Sequence, residues 1–519
     1  MSKIIGIDLG TTNCAVAVIK ESGKPEIIKN QEGDPTTPSV VLFQDFGEGV
    51  DEPLVGTLAK RQAALYPDDI VQYVKRRMGD PDWRFDSTAG NEYTAEEVSA
   101  IILKRLKQDA EMALGEEVTD AVITVPAYFD DARRTATKQA GKIAGLNVLR
   151  VLNEPTAAAL SYGVNSEVSG TVLVYDLGGG TFDVTLLKIN DSNFEVIATD
   201  GDRNLGGFDF DNELMTFVAE QLEAQGAKDV LDDTAVVADL REKAEIAKKS
   251  LTTMASTKVQ TSVNGKPYKV TVTREDFEKC TASLLERTKE LVESVLAESK
   301  TSWSGVDHVL LVGGSTRMPM VKAMVEDLSG KGVELDVNPD EAVAQGAAVQ
   351  GALSGGPETA SSGNFLVGDG GGVLNGKTFT IADVTSQSLG VILVDSDSNR
   401  DTNVVVIERN SKIPGSHSVP AFTLFDRQTG INVKVTEGED TDPEFVTIIG
   451  ESTLSIPPYP KGAPIEITYS YDIDQTIVVE VFDHTAGKSL GTFDIDRVAN
   501  MDESSVGAAA VRLQSMEIS

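Results

Sequence analysis

The sequence predicts a duplicated α/β domain followed by an antiparallel β-sandwich, in a chain of 519 residues. Two observations predict this order. A strand–turn–strand motif occurs twice in the first two thirds of the chain, and alternating β-type segments separated by Pro, Gly and Asp follow it. At roughly 100 to 200 residues per domain, the length is consistent with several compact units.

The composition narrows the class of protein. The chain has 46 Lys plus Arg against 81 Asp plus Glu, a formal net charge of −35, which excludes a general nucleic-acid binder because a polyanion would be repelled. No apolar run approaches the roughly 18 residues of a membrane span. The N-terminus lacks a signal-peptide pattern, so we expect a cytoplasmic protein. Cys14 and Cys280 are too few for a disulfide scaffold, and the three histidines are too scattered for a zinc site.

Internal repeats predict the two α/β halves. Residues 4–13 (IIGIDLGTTN) and 172–181 (VLVYDLGGGT) have the same strand and Asp-Leu-Gly turn, displaced by 168 residues. DAVITVP at 120–126 and DHVLLVG at 307–313 form a second pair, displaced by 187 residues. Helical periodicity between these strands predicts helices over 95–114, 131–144, 233–251 and 275–299.

The α/β pattern ends near Leu353, and a stretch rich in Gly and Ser follows it. Beyond that stretch, segments such as NVVVIE, INVKV, IEITYSY and TIVVEVF alternate as β-strands do. We therefore predict the duplicated α/β domain at residues 1–353, a connection and linker at 354–382, and the β-sandwich at 383–498. A short C-terminal helix or tail, capped by Asp502, is predicted at 499–519.

Both Asp-Leu-Gly turns have features of a phosphate site. In each turn a carboxylate stands at the end of a strand, and glycines or hydroxyl-bearing residues come after it. The backbone N–H groups of such a turn can face phosphate without side-chain obstruction. An ordinary hairpin would explain one such turn, but two at matching places favour a shared site. Asp8, Asp176 and Asp183 would then converge on the cleft between the halves, where Mg²⁺ bridging to phosphates relieves the repulsion of clustered carboxylates.

Residues 371–378 (GGVLNGKT) match the Walker pattern GxxxxGK[ST]. That pattern binds phosphate only where a helix follows the glycines, because the helix N-terminus holds the phosphates. Here residues 378–381 continue as an alternating strand. We interpret the match as a Gly-rich turn in a hairpin.

Five motifs occur in order along the chain: DLGTTN at 8–13, VPAYF at 125–129, NEPTAAALSYG at 153–163, DLGGGTFDV at 176–184 and LVGGSTRMP at 311–319. Together they resemble the motifs of the seventy-kilodalton heat-shock chaperones of the DnaK type. The similarity covers nearly all of residues 1–353 and continues more weakly to about 497. It implies an actin-like, two-lobed ATPase joined to a β-sandwich that binds extended peptides. The implied function is that of an ATP-dependent chaperone-like protein that acts in protein folding and the stress response.

The resemblance implies an ATP hydrolase that uses ATP, ADP and Mg²⁺. Lys75 would stabilise charge on the γ-phosphate, Glu154 would position the attacking water or couple it to Mg²⁺, and Thr181 would hydrogen-bond the γ-phosphate. Asp176 belongs to the same catalytic group. The residues implied to hold the nucleotide are Gly10, Thr11, Thr12, Asn13, Gly178, Gly179, Gly180, Gly206, Gly207, Glu245, Lys248, Thr252, Gly313, Gly314, Ser315, Arg317 and Asp340.

Several of these residues have a purely structural alternative. A Lys within a Lys-Arg-Arg run is normally solvated, and Glu-Pro commonly begins a helix, as at Glu154. Glu245, Lys248 and Thr252 stand at i, i+3 and i+7, which is also the spacing of a solvated helix face. The resemblance implies instead that these three residues face the adenosine.

Two further sets of residues follow from the resemblance. The peptide groove corresponds to Val391, Leu393, Phe422, Leu424 and Ile431, for which plain sandwich core is the alternative. A J-domain cochaperone is expected to engage Arg150, Asn153, Thr156 and Asp383, although a surface ion pair would look the same. A nucleotide-exchange factor is also expected as a partner.

The chain departs from the family at several places. Residues 379–390 lack the usual leucines of the interdomain linker, Asn204 stands in place of His, and Phe208 stands in place of an acid. The chain reaches Ser519 without the helical lid of its relatives. We therefore expect a lidless variant whose interdomain coupling is less certain than its hydrolysis.

Other functions on the same ATPase fold remain as alternatives. A sugar kinase would need an Asp base and polar sugar ligands in the cleft, and a filament-forming protein would have little use for a β-rich appendage. The chief alternative is an actin-like ATPase whose β-sandwich docks folded partners or supports assembly, without peptide-chaperone activity.

Overall fold

The computed structural model describes residues 3–45, 49–63, 65–165, 168–334, 338–355, 371–374, 377–395, 398–472, 476–494 and 500–519. Within these residues the chain forms two α/β halves, a β-sandwich and a C-terminal helix.

The first half is built on one mixed main sheet and two smaller antiparallel sheets, of three and two strands. Its strands are β1 Lys3–Asp8, β2 Asn13–Ile19, β3 Pro25–Ile28, β4 Thr37–Pro38, β5 Val40–Asp45, β6 Asp51–Val55, β7 Ile70–Gln72, β8 Phe85–Asp86, β9 Glu92–Tyr93, β10 Val118–Val125 and β11 Asn147–Asn153. Its helices are α1 Thr57–Lys60, α2 Ala95–Leu114, α3 Asp131–Ile143 and α4 Glu154–Asn165, with a 3₁₀ turn at Val74–Arg77. The main sheet has the order β11-β10-β1-β2-β3, with β1 parallel to β10 and antiparallel to β2.

The second half has a main sheet of the same pattern and a separate two-stranded antiparallel sheet. Its strands are β12 Gly170–Leu177, β13 Phe182–Asn190, β14 Asn193–Asp202, β15 Ser256–Val263, β16 Lys266–Thr273 and β17 His308–Val312. Its helices are α5 Gly207–Ala224, α6 Thr234–Leu251, α7 Arg274–Cys280, α8 Ala282–Glu298, α9 Pro319–Ser329 and α10 Ala342–Gly355, with 3₁₀ turns at Trp303–Gly305 and Gly314–Arg317. The order β17-β12-β13-β14, with β12 parallel to β17 and antiparallel to β13, matches the first sheet. Common descent of the two halves stays a prediction from the motif repeats.

Local sequence explains where the helices begin and end. Thr94 and Glu97 form a reciprocal capping box at the start of α2, and Gly115 ends it with a left-handed φ of +70°. The helix predicted over 275–299 is divided at Thr281, whose hydroxyl donates to the Phe277 carbonyl at 2.8 Å. A side-chain hydroxyl that hydrogen-bonds a nearby backbone carbonyl competes with continuation of the helix. The periodicity of apolar residues does not reveal such a bond.

Small residues bring the central helices together. A Cβ on Gly346 of α10 would lie 1.7 Å from the carbonyl oxygen of Ala157 in α4, so only glycine permits this crossing. Gly6 of β1 approaches α10 equally closely, since its Cβ would lie 2.1 Å from the Ala348 nitrogen. Helix α10 is therefore fixed against both α4 and the first sheet.

The predicted connection over 354–382 includes two strands that extend the second sheet. They are β18 Gly372–Leu374 and β19 Lys377–Val384. β19 runs parallel to β14, pairing Phe194 with Ile381. Phe379 and Ile381 are buried against Phe194, so this stretch is ordered sheet and not only a linker. The edge of β14 would otherwise present unpaired N–H and C=O groups, and the alternating apolar residues of β19 can pack on the core, which explains the pairing.

The β-sandwich follows the sequence prediction. Its strands are β20 Leu389–Val394, β21 Asp401–Ile407, β23 Gly415–Phe422, β24 Gln428–Glu437, β25 Thr447–Tyr459, β26 Pro464–Tyr471, β27 Ile477–Asp483 and β28 Lys488–Asp494, whereas β22 Lys412–Ile413 pairs with β19 of the second sheet. Two antiparallel sheets, β21-β20-β24-β25 and β23-β26-β27-β28, enclose one core. Arg409 binds Glu298 and Asp200 of the second half, which fixes the sandwich against α8 and β14.

The last helix, α11 Glu503–Ser515, packs on the first half of the chain. Asp502 caps it, as predicted, by accepting from the Ser505 amide at 2.9 Å. Leu513 lies in the core cluster of the first half. Ser519 then pairs with β6, because its amide donates to Pro53 O at 3.1 Å and its carbonyl accepts from the Val55 amide at 3.0 Å. The C-terminal segment thus completes the first half.

Both cysteines are free, as expected, with Cys14 buried and Cys280 half-buried. Among the described residues, none of the helices has both the length and the apolar character needed to cross a membrane.

Candidate active site

A cavity of about 410 Å³ lies between the two halves. Its walls come from the β1–β2 and β12–β13 turns, the 3₁₀ turn at 74–77, the start of α4, helix α6 and the loop after β17. The predicted residues that line it are Asp8, Gly10, Thr11, Thr12, Asn13, Lys75, Glu154, Asp176, Gly178, Gly179, Thr181, Gly207, Glu245, Lys248, Thr252, Gly313, Gly314, Ser315, Arg317 and Asp340. Segments more than 300 residues apart therefore meet at one site.

Three of the predicted residues lie behind the cavity wall. Gly180 and Gly206 pack against each other, since a Cβ on Gly206 would lie 2.5 Å from the Gly180 nitrogen. Asp183 is buried, and its Oδ1 accepts from the Tyr128 amide at 3.0 Å. Gly180 and Gly206 hold the loops in place, and Asp183 lies behind the lining residues beside Glu154 and Lys75.

The two Asp-Leu-Gly turns contact each other across the cleft. A Cβ on Gly179 would lie 2.2 Å from the Thr12 hydroxyl, and a Cβ on Gly180 would lie 2.4 Å from the Thr11 methyl group. Any side chain at either position would force the halves apart. The glycines therefore permit close approach of two backbones, whose N–H groups remain available to an anion.

Lys75 and Glu154 form a buried ion pair at this junction. Lys75 Nζ lies 2.5 Å from Glu154 Oε1, and both side chains are buried. Burial by itself lowers the pKa of the Lys75 ammonium, but the negative charges of Glu154 and Asp8 outweigh burial and raise it above its usual value. Lys75 is therefore a fixed cation, and not the solvated lysine that its sequence context suggests.

Three buried carboxyl groups surround this pair. Burial, with repulsion from Glu154, raises the pKa of Asp8 to about 7 and that of Asp183 to about 8. Burial and the neighbouring acids also raise the pKa of Asp176 well above its usual value. Without further positive charge these carboxyl groups tend to stay protonated. A bound cation would favour their ionised form and lower their pKa values.

The carboxyl groups fit a hard divalent cation such as Mg²⁺. Asp183 Oδ2 is buried and has no hydrogen-bond partner, and Asp8 and Asp176 line the cavity. Over the described ranges, no three acidic, thiol or imidazole side chains come together closely enough to hold a metal alone. Mg²⁺ would therefore need phosphate oxygens and water as additional ligands, which is its usual preference.

On the other side of the cavity, the predicted adenosine-binding residues are held by ion pairs. Lys248 donates to Asp211 Oδ2 and Gly207 O, both at 2.8 Å. Arg317 binds Asp340 at 2.6 Å, and more than half of its side chain is exposed, as a stacking surface requires. Thr252 lies one residue beyond the end of α6. Helix α6 thus presents Lys248 to the cavity from its last turn.

Glu245 is bound from across the cleft. Lys60 of the first half reaches its carboxylate at 2.7 and 2.9 Å, and Lys249 also binds it. Burial by itself raises the pKa of Glu245, but these two cations lower it to about 2. The family resemblance implied Glu245, but nothing in the sequence pairs it with a lysine 185 residues away.

An aromatic contact across the cleft is also absent from the sequence prediction. Tyr73 and Phe208 line the cavity with ring centroids 4.3 Å apart, and the Arg76 guanidinium lies 4.9 Å from the centre of the Phe208 ring. Arg76 also donates to Gly180 O at 2.7 Å. The sequence indicated that position 208 is unusual, because Phe208 departs from the family pattern. Spacing along the chain could not show that Tyr73 is its partner.

The four predicted cochaperone residues lie under the domain junction. Asp383 Oδ2 accepts from Asn153 at 2.8 Å and lies 3.4 Å from the Thr156 hydroxyl, while Arg150 donates to Gln350 at 2.9 Å. All four side chains are buried. The alternative of a solvated surface ion pair does not hold, because Arg150 and Asp383 are both buried.

The predicted peptide residues separate into core and surface. Val391 is completely buried between β21 and β24, so the structure assigns it to the sandwich core and not to an open groove. Leu393 and Ile431 are half-buried against the same core. Phe422 and Leu424 are exposed, and Phe425 beside them is exposed as well. The turn after β23 therefore carries the apolar surface.

The Walker-like segment lacks the geometry of a phosphate loop. Gly372 pairs with Phe379, and Leu374 pairs with Lys377, as neighbours in an antiparallel hairpin. Lys377 begins a strand and binds Asp191 at 2.7 Å. The hairpin interpretation is confirmed for the described residues of this segment.

A comparison with protein families is consistent with this site. A family model described as Hsp70 protein matches residues 4–86 and 83–505. The matched residues include both halves, the sandwich and the start of α11.

Proposed function

The chain belongs to the Hsp70 family, and from that premise we propose that it hydrolyses ATP in the cleft and binds extended polypeptide segments on its β-sandwich. An ATP-dependent, chaperone-type function follows from family membership in general. The observation that carries the finer proposal is the buried Lys75–Glu154 pair, which meets the Thr11 and Thr181 turns at one end of the cavity.

The proposed reaction is attack of water on the γ-phosphorus. The new P–O bond forms as the bond to the bridging β–γ oxygen breaks, which gives ADP and orthophosphate. Lys75 stabilises the charge on the γ-phosphoryl oxygens, and Thr181 donates a hydrogen bond to one of them. Glu154, anchored by Lys75, orients the water. Mg²⁺, when held by the carboxyl groups of Asp8, Asp176 and Asp183 together with phosphate, would neutralise charge on the phosphates.

Variants of these two residues test the hydrolysis. Thr181→Ala and Lys75→Ala should each bind ATP yet hydrolyse it about 100- to 1,000-fold more slowly, because they remove stabilisation of the transition state. Acid-quenched single turnovers with labelled ATP measure the chemical step, and calorimetry measures binding. Lys377→Ala is the matched control and should keep parental affinity and rate. Parental rates in both active-site variants would reject the assignment.

Peptide binding is proposed at the exposed turn after β23. Phe422 and Leu424 offer apolar surface beside strand edges, where an extended peptide can gain main-chain hydrogen bonds. Fluorescence anisotropy with an extended apolar peptide measures the affinity. Leu424→Ser should weaken it, while Phe445→Ser, an apolar residue that is even more exposed (72% against 47%) on another loop, should not. The absence of any peptide binding would favour the alternative, a sandwich that docks folded partners.

Cochaperone binding is proposed at the same junction that Asp383 occupies. Because Arg150 and Asp383 are buried there, we propose that they transmit a J-domain contact and do not form its exposed surface. Stimulation of hydrolysis by a J-domain protein from the same cell tests this. Arg150→Ala should reduce the stimulation and leave unstimulated hydrolysis nearly unchanged, and full stimulation of this variant would remove the proposal.

A further inference from the structure

A second cavity adjoins the proposed γ-phosphate position. It measures about 220 Å³ and shares Thr11, Lys75 and Thr181 with the main cavity. Its remaining lining residues are Arg76, Arg77, Asp80, Phe129, Arg133, Arg203 and Asn204. Five of the ten lining residues are cations and one is an acid, in a protein whose net charge is −35. An anion is the ligand that such a lining favours.

The five cations form a path from the active site to solvent. The exposed fraction of the side chain rises from 4% for Lys75 to 16% for Arg76 and 19% for Arg133. It reaches 44% for Arg203 and 56% for Arg77. An anion that leaves Lys75 would therefore meet a positive side chain at every stage.

The two outer arginines have donors to spare. Arg203 meets Asp130 at 3.5 Å, and Arg77 meets Asp80 at 3.5 Å. Asp130 also binds Arg133, so one carboxylate serves two guanidinium groups. A guanidinium has five N–H donors, and each outer arginine has one such ion pair in the part of the chain that the structure describes. Both can accept a tetrahedral oxyanion without losing a buried partner.

We propose that this cavity binds the inorganic phosphate produced by hydrolysis and releases it to solvent past Arg203, an inference that rests on the proposed function. While ADP occupies the main cavity, its phosphates lie between the γ-position and the adenosine end. Orthophosphate that leaves first must then depart on the opposite side, where Arg76 and Arg133 lie. Arg203 is the outer binding residue, and Arg76 is excluded from the test because it holds the Gly180 backbone.

Equilibrium dialysis of radiolabelled orthophosphate against the full-length protein with Mg²⁺ and ADP tests the inference directly. The parent protein should bind one phosphate, and Arg203→Ser should weaken that binding about threefold to tenfold, as expected for a partly exposed charged contact. Arg203→Lys keeps the positive charge and should remain within about twofold of the parent. Arg84→Ser is the matched control, because Arg84 is similarly exposed, at 38%, and ion-paired, yet lies outside the cavity.

Two results would overturn the inference: no phosphate binding by the parent protein with ADP, or parental affinity in Arg203→Ser. The same preparations, tested by acid-quenched hydrolysis of labelled ATP, keep the two proposals distinguishable. Loss of hydrolysis in the parent would reject the proposed function, whereas normal hydrolysis with unchanged phosphate affinity in Arg203→Ser would reject only the exit cavity.

Discussion

The docking of α11 on the first half can be tested with one substitution. Leu513 is 4% exposed and lies with Ile101 and Ile143 in the core cluster of the first half. Leu513→Ala removes three carbon atoms from this contact, about 2.4 kcal/mol at roughly 0.8 kcal/mol per methylene, and the cavity left behind adds to the loss. We therefore expect α11 to be less stably docked by about 2 to 4 kcal/mol.

Hydrogen exchange gives the most direct measurement, because α11 can open without unfolding the whole chain. At about 1.4 kcal/mol per factor of ten, the α11 amides that exchange through undocking should exchange about 30- to 700-fold faster. The Val55 amide, which donates to Ser519 O, should also lose protection. Alanine is the better helix former, so helix propensity alone predicts the opposite sign.

Val511→Ala provides the control on the same helix, since Val511 is 69% exposed. It should leave exchange within a few-fold of the parent. If Leu513→Ala exchanged like Val511→Ala, the helix would not be held by burial of Leu513. The reasoning that assigns the C-terminal segment to the first half would then fail.

Three further predictions concern the cleft and the domain interface. Phe208→Ala should speed release of a fluorescent nucleotide several-fold, because it removes the contact with Tyr73 across the cleft; an unchanged off-rate would exclude a role in closure. Burial raises the pKa of Asp8 to about 7 and that of Asp183 to about 8, so ionising these carboxyl groups costs stability as the pH rises. The affinity for Mg²⁺ should therefore increase as the pH rises from about 6 to 8, and binding should release protons. Asp183→Asn should flatten that dependence in calorimetry, and a pH-independent affinity in the parent would contradict it. Arg409→Ala should loosen the sandwich from Glu298 and raise the protease sensitivity of the junction, whereas Lys434→Ala, on β24 away from this ion pair, should not; equal sensitivity would show that the ion pair contributes nothing.

The sequence by itself predicted most of the helices and strands and the two turns at the centre of the site. Apolar periodicity located α2 and α3, and the repeated Asp-Leu-Gly turns located both loops that contact each other in the cleft. These features depend on neighbours within a few residues, so a short window of sequence contains their cause. The β-sandwich was equally readable, because alternation reports which face of each strand is buried.

Only the tertiary structure decided which surfaces remain exposed. The pattern around Val391 is the same for a groove and for a core, and the second sheet of the sandwich buries it. Asp383 could have been a surface acid, but β19 brings it against Asn153 and Thr156 of the first half, where it is buried. Lys60 and Glu245 meet because two halves close on each other, as do the cations around Arg203. Burial and charge pairing depend on segments far apart in the chain, and local spacing contains no record of them.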